Sequence, residues 1–312
     1  MSPDNDRRYP FVFSAGSPML SVYRTLEKVR ESPTTVLIEG ESGTGKDALA
    51  QWLHYNSPRK DGPLMKVDFA SLPEELVESE LFGYERGAFT GAVNSKLGKL
   101  DLAQGGTAVL DEIASVDMAV QAKLLNVVEA KVFYRLGGTK PVELDARIVA
   151  LSSVPLAAAV ERQVFRQDLF FRLNLITIRV PPLRERANEI FPMAQFLLAQ
   201  LGRKYKTVSS LNPETRPVLE RYDFPGNIRE LRNALERAML MTPGQEIQPE
   251  MLPAAWSASR QPAAKMPSLE DIERDYISEV LRQTRGKKVK AAKILGISRK
   301  TLLEKRKKYG LL

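Results

Sequence analysis

Thr35-Val36-Leu37-Ile38-Glu39 is a short apolar, β-branched run, and Gly40-Glu41-Ser42-Gly43-Thr44-Gly45-Lys46-Asp47 follows it directly. From Lys46 to Tyr55 the pattern turns helical. Strand, glycine-rich loop and helix together predict a phosphate cradle. Glycines let the backbone wrap closely around an anion with amide N–H groups pointing inward. The helix start adds a dipole that favours negative charge, and Lys46 has the reach for β- and γ-phosphates. The eight residues Gly40 to Asp47 are therefore expected to bind ATP. Phosphate loops usually place Ser or Thr after the lysine, to ligate magnesium; here the residue is Asp47. A plain glycine-rich turn is the ordinary alternative.

Downstream, Thr107-Ala108-Val109-Leu110-Asp111-Glu112 reads as an apolar strand ending in two acids. In open α/β sheets, ligands lie at the carboxyl ends of the strands. Asp111 is thus expected to hold Mg2+, directly or through water, and Glu112 to polarise the attacking water. Taken alone, such a strand is simply one reaching solvent. Further β-rich runs lie at residues 64–67, 147–152 and 175–180, with a helical stretch at 118–130. The alternation predicts an α/β fold with a parallel sheet. From Pro182 to Pro253 helical patterns dominate. Residues 254–268 are rich in Ala, Ser and Pro and read as a linker. Leu269, Ile272, Tyr276, Ile277, Val280 and Leu281 then recur at helical spacing, and Ser268 with Asp271 could cap that helix.

The chain has 312 residues, no cysteine and a single histidine, His54, so thiolate zinc sites, disulfides and histidine-rich metal sites are excluded. His54 is expected to serve packing. Neither a signal peptide nor an apolar run of membrane-spanning length is visible, which predicts a soluble cytoplasmic protein. Net charge is +8, and from Arg285 to Leu312 eleven basic residues face one acid, Glu304. A near-neutral body with a basic end points to nucleic acid, against the alternative of a solvated charged tail. Within that end, Lys290 to Leu303 reads as helix, turn, helix, with Gly296 in the turn and Ser298 as N-cap. A recognition helix lies in the major groove with its N-terminal residues nearest the base edges. Arg299, Lys300 and Thr301 are the base-reading candidates, and Lys305 and Lys308 the phosphate candidates.

Between loop and acidic strand lies Gly87-Ala88-Phe89-Thr90-Gly91-Ala92. Chemically it is a small-residue loop around one phenylalanine, and the residues alone favour a turn with Phe89 folded into the core. The string is similar, without mismatch, to the GAFTGA loop of sigma-54-dependent activators, the bacterial enhancer-binding proteins. Ser79-Glu80-Leu81-Phe82-Gly83 and Gln121-Ala122-Lys123-Leu124-Leu125 resemble segments flanking it in that family. The resemblance implies an AAA+ P-loop NTPase domain with a helical lid and a Fis-type helix-turn-helix. It implies ATP hydrolysis with Mg2+, upstream DNA sites, and loop contact with sigma-54 RNA polymerase holoenzyme. Phe165 to Asn174 resembles the segment bearing arginine fingers, making Arg166 and Arg172 the candidates that reach a neighbour's γ-phosphate in a ring, expected to be a hexamer. The alternative for both is a surface ion pair, for example with Asp168. Phe224-Pro225-Gly226-Asn227-Ile228-Arg229-Glu230-Leu231 resembles sensor II, with Arg229 sensing nucleotide, and Pro181 to Arg186 resembles the junction to the lid.

The chain departs from the family pattern at two sensor positions. Asp68 stands where the family usually has an asparagine thought to hold the catalytic glutamate, and Ser153 stands at the sensor I asparagine. An ionised Asp68 accepts but cannot donate a hydrogen bond, and near Glu112 it would repel. Asp47 is less of a departure, since the family carries an acid there. The expected organisation is a tail at 1–13, the α/β subdomain at 14–181, the lid at 182–253, the linker at 254–268 and the helix-turn-helix at 269–312. That leaves no N-terminal sensory domain, as in the short subclass of the family. One rival reading is a DNA-binding co-activator of weak ATPase in a mixed ring with a homologue, kept open by Asp68 and Ser153. Another is an AAA+ protein of replication or proteolysis, which the GAFTGA loop disfavours.

Overall fold

The computed structural model describes residues 16–257, 269–284 and 287–311. The chain divides into two compact units at residues 258 and 259. Strands of the first unit are β1 (Val36–Glu39), β2 (Leu64–Asp68), β3 (Gly83–Tyr84), β4 (Lys96–Leu97), β5 (Thr107–Asp111), β6 (Val132–Tyr134), β7 (Pro141–Glu143), β8 (Arg147–Ser152) and β9 (Thr177–Arg179). Five of them form the main sheet in the order β2-β5-β8-β1-β9, every pairing parallel.

The period of two within each strand decides what each face buries. Leu37, Ala108, Leu110, Ile148 and Ala150 face one core, with Leu81, Leu124 and Leu169 from helices on that side. Val36, Ile38, Val109, Val149 and Leu151 face the other, against Leu26, Leu49 and Leu53. Helices on both faces explain why β1, β5 and β8 are buried at every position and read as continuous apolar runs. Fully burying one such aliphatic side chain is worth about 1.5–3 kcal/mol. Arg147, fully buried, donates to the carbonyls of Val29 (2.7 Å) and Arg30 (2.8 Å), closing the end of the helix Met19–Val29.

The lid packs the helices Ile190–Tyr205, Thr215–Arg221 and Asn227–Met241 around Leu197, Leu201, Leu231 and Leu235. Its core continues beyond Pro253. Ala254–Ser257 is helical, and Trp256 is buried against Phe224 and Tyr222, with ring centroids 4.9 and 5.4 Å away. The reading of a linker from Ala254 is corrected here. Its Ala, Ser and Pro composition concealed one tryptophan whose ring area outweighs its polar neighbours. The remainder of that stretch, the tail at 1–13 and the proposed cap at Ser268 lie outside the described residues, as does the side chain of Asp271.

In the second unit the helices Leu269–Gln283, Lys288–Ile294 and Arg299–Lys308 enclose a small core of Ile277, Val280, Ala291, Ala292 and Leu302. Gly296 takes φ of 65° in the turn, and Ser298 caps the last helix by accepting from the Thr301 amide at 3.0 Å. No helix among the described residues is long and apolar enough to cross a membrane.

Candidate nucleotide site and DNA-binding face

The loop after β1 carries Gly43 at φ 78° and Gly45 at φ 101°, a region L side chains avoid. A Cβ on Gly43 would lie 2.4 Å from the Gly226 carbonyl, so the lid itself demands glycine there. Beyond the loop opens a cavity of about 240 Å³. Ser42, Gly43, Gly45, Lys46, Asp47, Asp111 and Glu112 line it from the α/β side, and Leu197, Ile228, Arg229 and Arg232 from the lid. Lys46 is buried, its ammonium donating to the carbonyls of Gly40 (2.7 Å) and Glu41 (3.2 Å). Burial pushes its pKa below the ordinary lysine value, against the pull of Glu112, Asp111 and Asp47.

β2 and β5 end side by side, Asp68 in register with Asp111. Asp111 is buried, which raises its pKa against the lowering hydrogen bond from Lys66. Lys66 lies 2.6 Å from Asp111 Oδ2 and 2.5 Å from Asp47 Oδ1. Burial would lower its pKa, yet those hydrogen bonds hold it above the ordinary value. A cation resting among oxygen donors shows that this corner suits positive charge, and hard carboxylate oxygens suit magnesium. Glu112 adopts a left-handed φ of 53°, aiming its carboxylate across the strand end. Oε2 accepts from Ser153 Oγ at 2.6 Å and from the Ser153 amide at 3.1 Å. Asp68 instead accepts from the Ala70 amide at 3.1 Å, within its own turn.

The lid grips the loop through Arg229 and through several residues that the sequence reading did not single out. Arg184 forms a forked pair with Glu41 at 2.6 and 2.8 Å, holding that carboxylate down at about 2. Arg186, buried, donates to the Thr44 carbonyl at 3.1 Å. Asn227, fully buried at φ 51°, donates to the Ser42 carbonyl (3.0 Å) and Glu41 (3.2 Å) and accepts from the Leu183 amide (2.8 Å). Ile228 N donates to the Gly43 carbonyl at 2.9 Å, and Arg229 to Ser42 Oγ at 2.7 Å. Arg184, Arg186 and Asn227 all fall inside quoted motifs; only their partners were invisible.

Arg166 and Arg172 are not among the cavity's lining residues. Arg166 makes a two-pronged pair with Asp168 at 2.7 and 3.0 Å, and Arg172 pairs with Glu129. The loop Gly87 to Ala92 is closed by Gly87 N to the Ala92 carbonyl at 2.9 Å, with Gly87 and Gly91 at positive φ. Phe89 is half exposed, edge-on to Tyr84 at 5.0 Å, rather than folded into the core. His54 is buried, with Nδ1 2.9 Å from Thr107 Oγ1, a packing role.

On the second unit Arg299 and Lys300 are exposed at the start of the last helix, while the Thr301 hydroxyl lies 2.8 Å from Ser298 Oγ. Lys305 and Lys308 are paired with Glu273 and Glu270, each at 2.5 Å. Both lysines, expected to meet phosphate, are thus committed to acids of the helix Leu269–Gln283.

A family model described as the sigma-54 interaction domain matches residues 12–179. The chain belongs to that family. Residues 184–268 match the AAA+ ATPase lid domain and 268–309 the Fis family of bacterial regulatory proteins. Regulatory protein AtoC of Escherichia coli is 40% identical over 305 residues, covering 94% of this chain and 66% of AtoC. Nitrogen fixation protein AnfA of Azotobacter vinelandii is 38% identical over 306 residues, covering 96% of this chain and 57% of AnfA. The chain therefore spans less than two thirds of these relatives' length. Among solved structures, NtrX from Brucella abortus in complex with ATP has 31% identity and a TM-score of 0.72, covering 99% of this chain and 71% of NtrX. This sigma-54 family member therefore combines an AAA+ α/β domain, its helical lid and a Fis-type helix-turn-helix.

Proposed function

We propose that the protein is a cytoplasmic, ATP-hydrolysing transcription activator that binds upstream DNA and remodels sigma-54 RNA polymerase holoenzyme to open promoters. The convergence of Lys46, Asp111 and Glu112 on one cavity carries this reading. Gly40 to Gly45 would wrap the polyphosphate with backbone amides, and Lys46 would move from the loop carbonyls onto β- and γ-oxygens. Arg229, already lining the cavity, would register the nucleotide from the lid. Asp111 would hold magnesium, which when bound neutralises phosphate charge. Glu112, positioned by Ser153, would take a proton from the attacking water as oxygen bonds to the γ-phosphorus and the bond to ADP breaks.

Arg166 and Arg172 lie outside the cavity of their own chain, which suits service to a neighbour's γ-phosphate in a hexameric ring. Each would exchange its acidic partner for phosphate. The half-exposed Phe89, on a loop flanked by glycines, would press on sigma-54 as the ring cycles. Gly87, Ala88, Thr90, Gly91 and Ala92 would give that loop its reach. The mixed-ring reading rested on Asp68 and Ser153. The Ser153–Glu112 contact favours hydrolysis by this chain itself. The test is open-complex formation by sigma-54 holoenzyme with ATP, comparing wild type with Lys46→Ala. Opening by wild type alone supports the proposal. Hydrolysis without opening would move the function away from sigma-54, and neither activity would sink it.

A further inference from the structure

Lys66 is not part of the phosphate loop or of the acidic strand end, yet its ammonium is the nearest cation to both acids. It stands 2.6 Å from Asp111 and 2.5 Å from Asp47, bridging the end of β5 to the first turn of the helix Lys46–Tyr55. The Asp111 side chain is only 10% exposed, whereas Lys66 is 41% exposed and its stem has open solvent to swing into. We propose that Lys66 is a tethered counter-ion of the nucleotide site, offsetting part of the charge on Asp47 and Asp111 until a divalent cation displaces it from Asp111. The inference rests on the nucleotide-site reading above and deepens it.

Two opposite consequences follow from one charge. Without metal, Lys66 cancels carboxylate charge that would repel a polyphosphate, so metal-free nucleotide binds better with Lys66 present. With metal, Lys66 competes for the same oxygen, since magnesium-like ions demand close oxygen ligands. Its presence then raises the metal concentration needed. A lysine that merely stabilised the strand end would move both affinities in the same direction, or neither.

The experiment uses the full chain and two probes. ADP affinity is measured in EDTA by calorimetry, and Mn2+ affinity of the ADP-saturated protein by the EPR signal of free Mn2+. Lys66→Met is expected to weaken metal-free ADP about tenfold and to tighten Mn2+ about tenfold, the effect of one unit charge at this range in a near-aqueous dielectric. Lys66→Gln, which keeps a polar head, is read in its place if Lys66→Met lowers the unfolding midpoint. Unchanged affinities, or two that weaken together, overturn the counter-ion. Failure of wild type to bind ADP with or without Mn2+ overturns the nucleotide site itself, and the counter-ion with it.

Discussion

The hydroxyl of Ser153 lies 2.6 Å from Glu112 Oε2, and the Ser153 amide reaches the same oxygen at 3.1 Å. A residue at the end of β8 thus fixes the orientation of an acid at the end of β5. Ser153→Ala removes one of two donors to a charged acceptor, an interaction worth about 1.5–3 kcal/mol. We expect kcat for ATP to fall about tenfold or more while ADP affinity changes less than about twofold. Ser153→Thr, which keeps the hydroxyl, should recover most of the rate. An unchanged kcat in Ser153→Ala would remove Ser153 from the positioning of Glu112.

Glu112→Gln should bind ATP and not turn it over, since an amide cannot take the proton. The loss expected of a general base is about 10²–10⁴-fold. Phosphate release at wild-type rate from this variant would reassign the base.

Asn227, fully buried and left-handed, joins the lid to the phosphate loop with two hydrogen bonds and accepts a third from the Leu183 amide. Asn227→Ala leaves the Leu183 amide unpaired inside the protein, a penalty of about 1–3 kcal/mol. For a unit of this size that is roughly 2–10 °C in Tm. Calorimetry showing no change would mean that water replaces the side chain.

His54 is buried beside Thr107, and burial holds its pKa below the ordinary 6.5. The unfolded chain therefore binds a proton that the folded chain refuses. Stability is full above the unfolded value and is lost as pH falls through it. The Tm of wild type should drop between pH 7 and 5.5, and His54→Asn should flatten that slope. Equal slopes in the two proteins would assign the loss to other groups.

Arg299 and Lys300 are exposed, whereas Lys305 and Lys308 are held by Glu273 and Glu270. Replacing Arg299 with Ala should weaken specific DNA binding by about 1–3 kcal/mol if it meets a base edge. Lys308→Ala should change the slope of log K against log salt by less than the ~0.9 expected for a lost phosphate contact. A full unit of slope lost with Lys308 would show that the pair with Glu270 opens on DNA.

The sheet was legible because parallel strands buried on both faces carry continuous apolar interiors, as β1, β5 and β8 do between their polar ends. The phosphate loop was legible because close approach to an anion restricts the residue type to glycine. Neither rule applies to Lys66, Asn227 or Arg184, whose meaning lies in partners far along the chain. Trp256 was missed for a related reason. A single large ring decides burial, while composition averages it away. The quoted motifs located Arg166 and Arg172 and offered Asp168, which does pair with Arg166, but gave no sign of Glu129, which holds Arg172.

The hydrogen bond from Ile228 N to the Gly43 carbonyl pins the first turn of the helix Asn227–Met241 to the phosphate loop. Fifteen residues make that helix about 22 Å long. A rod pinned at one end amplifies: a tilt of roughly 10° at the loop carries its far end about 4 Å by that length. A lid pinned in this way would carry a small tilt at the phosphate loop to the far end of that helix as a displacement the size of a side chain.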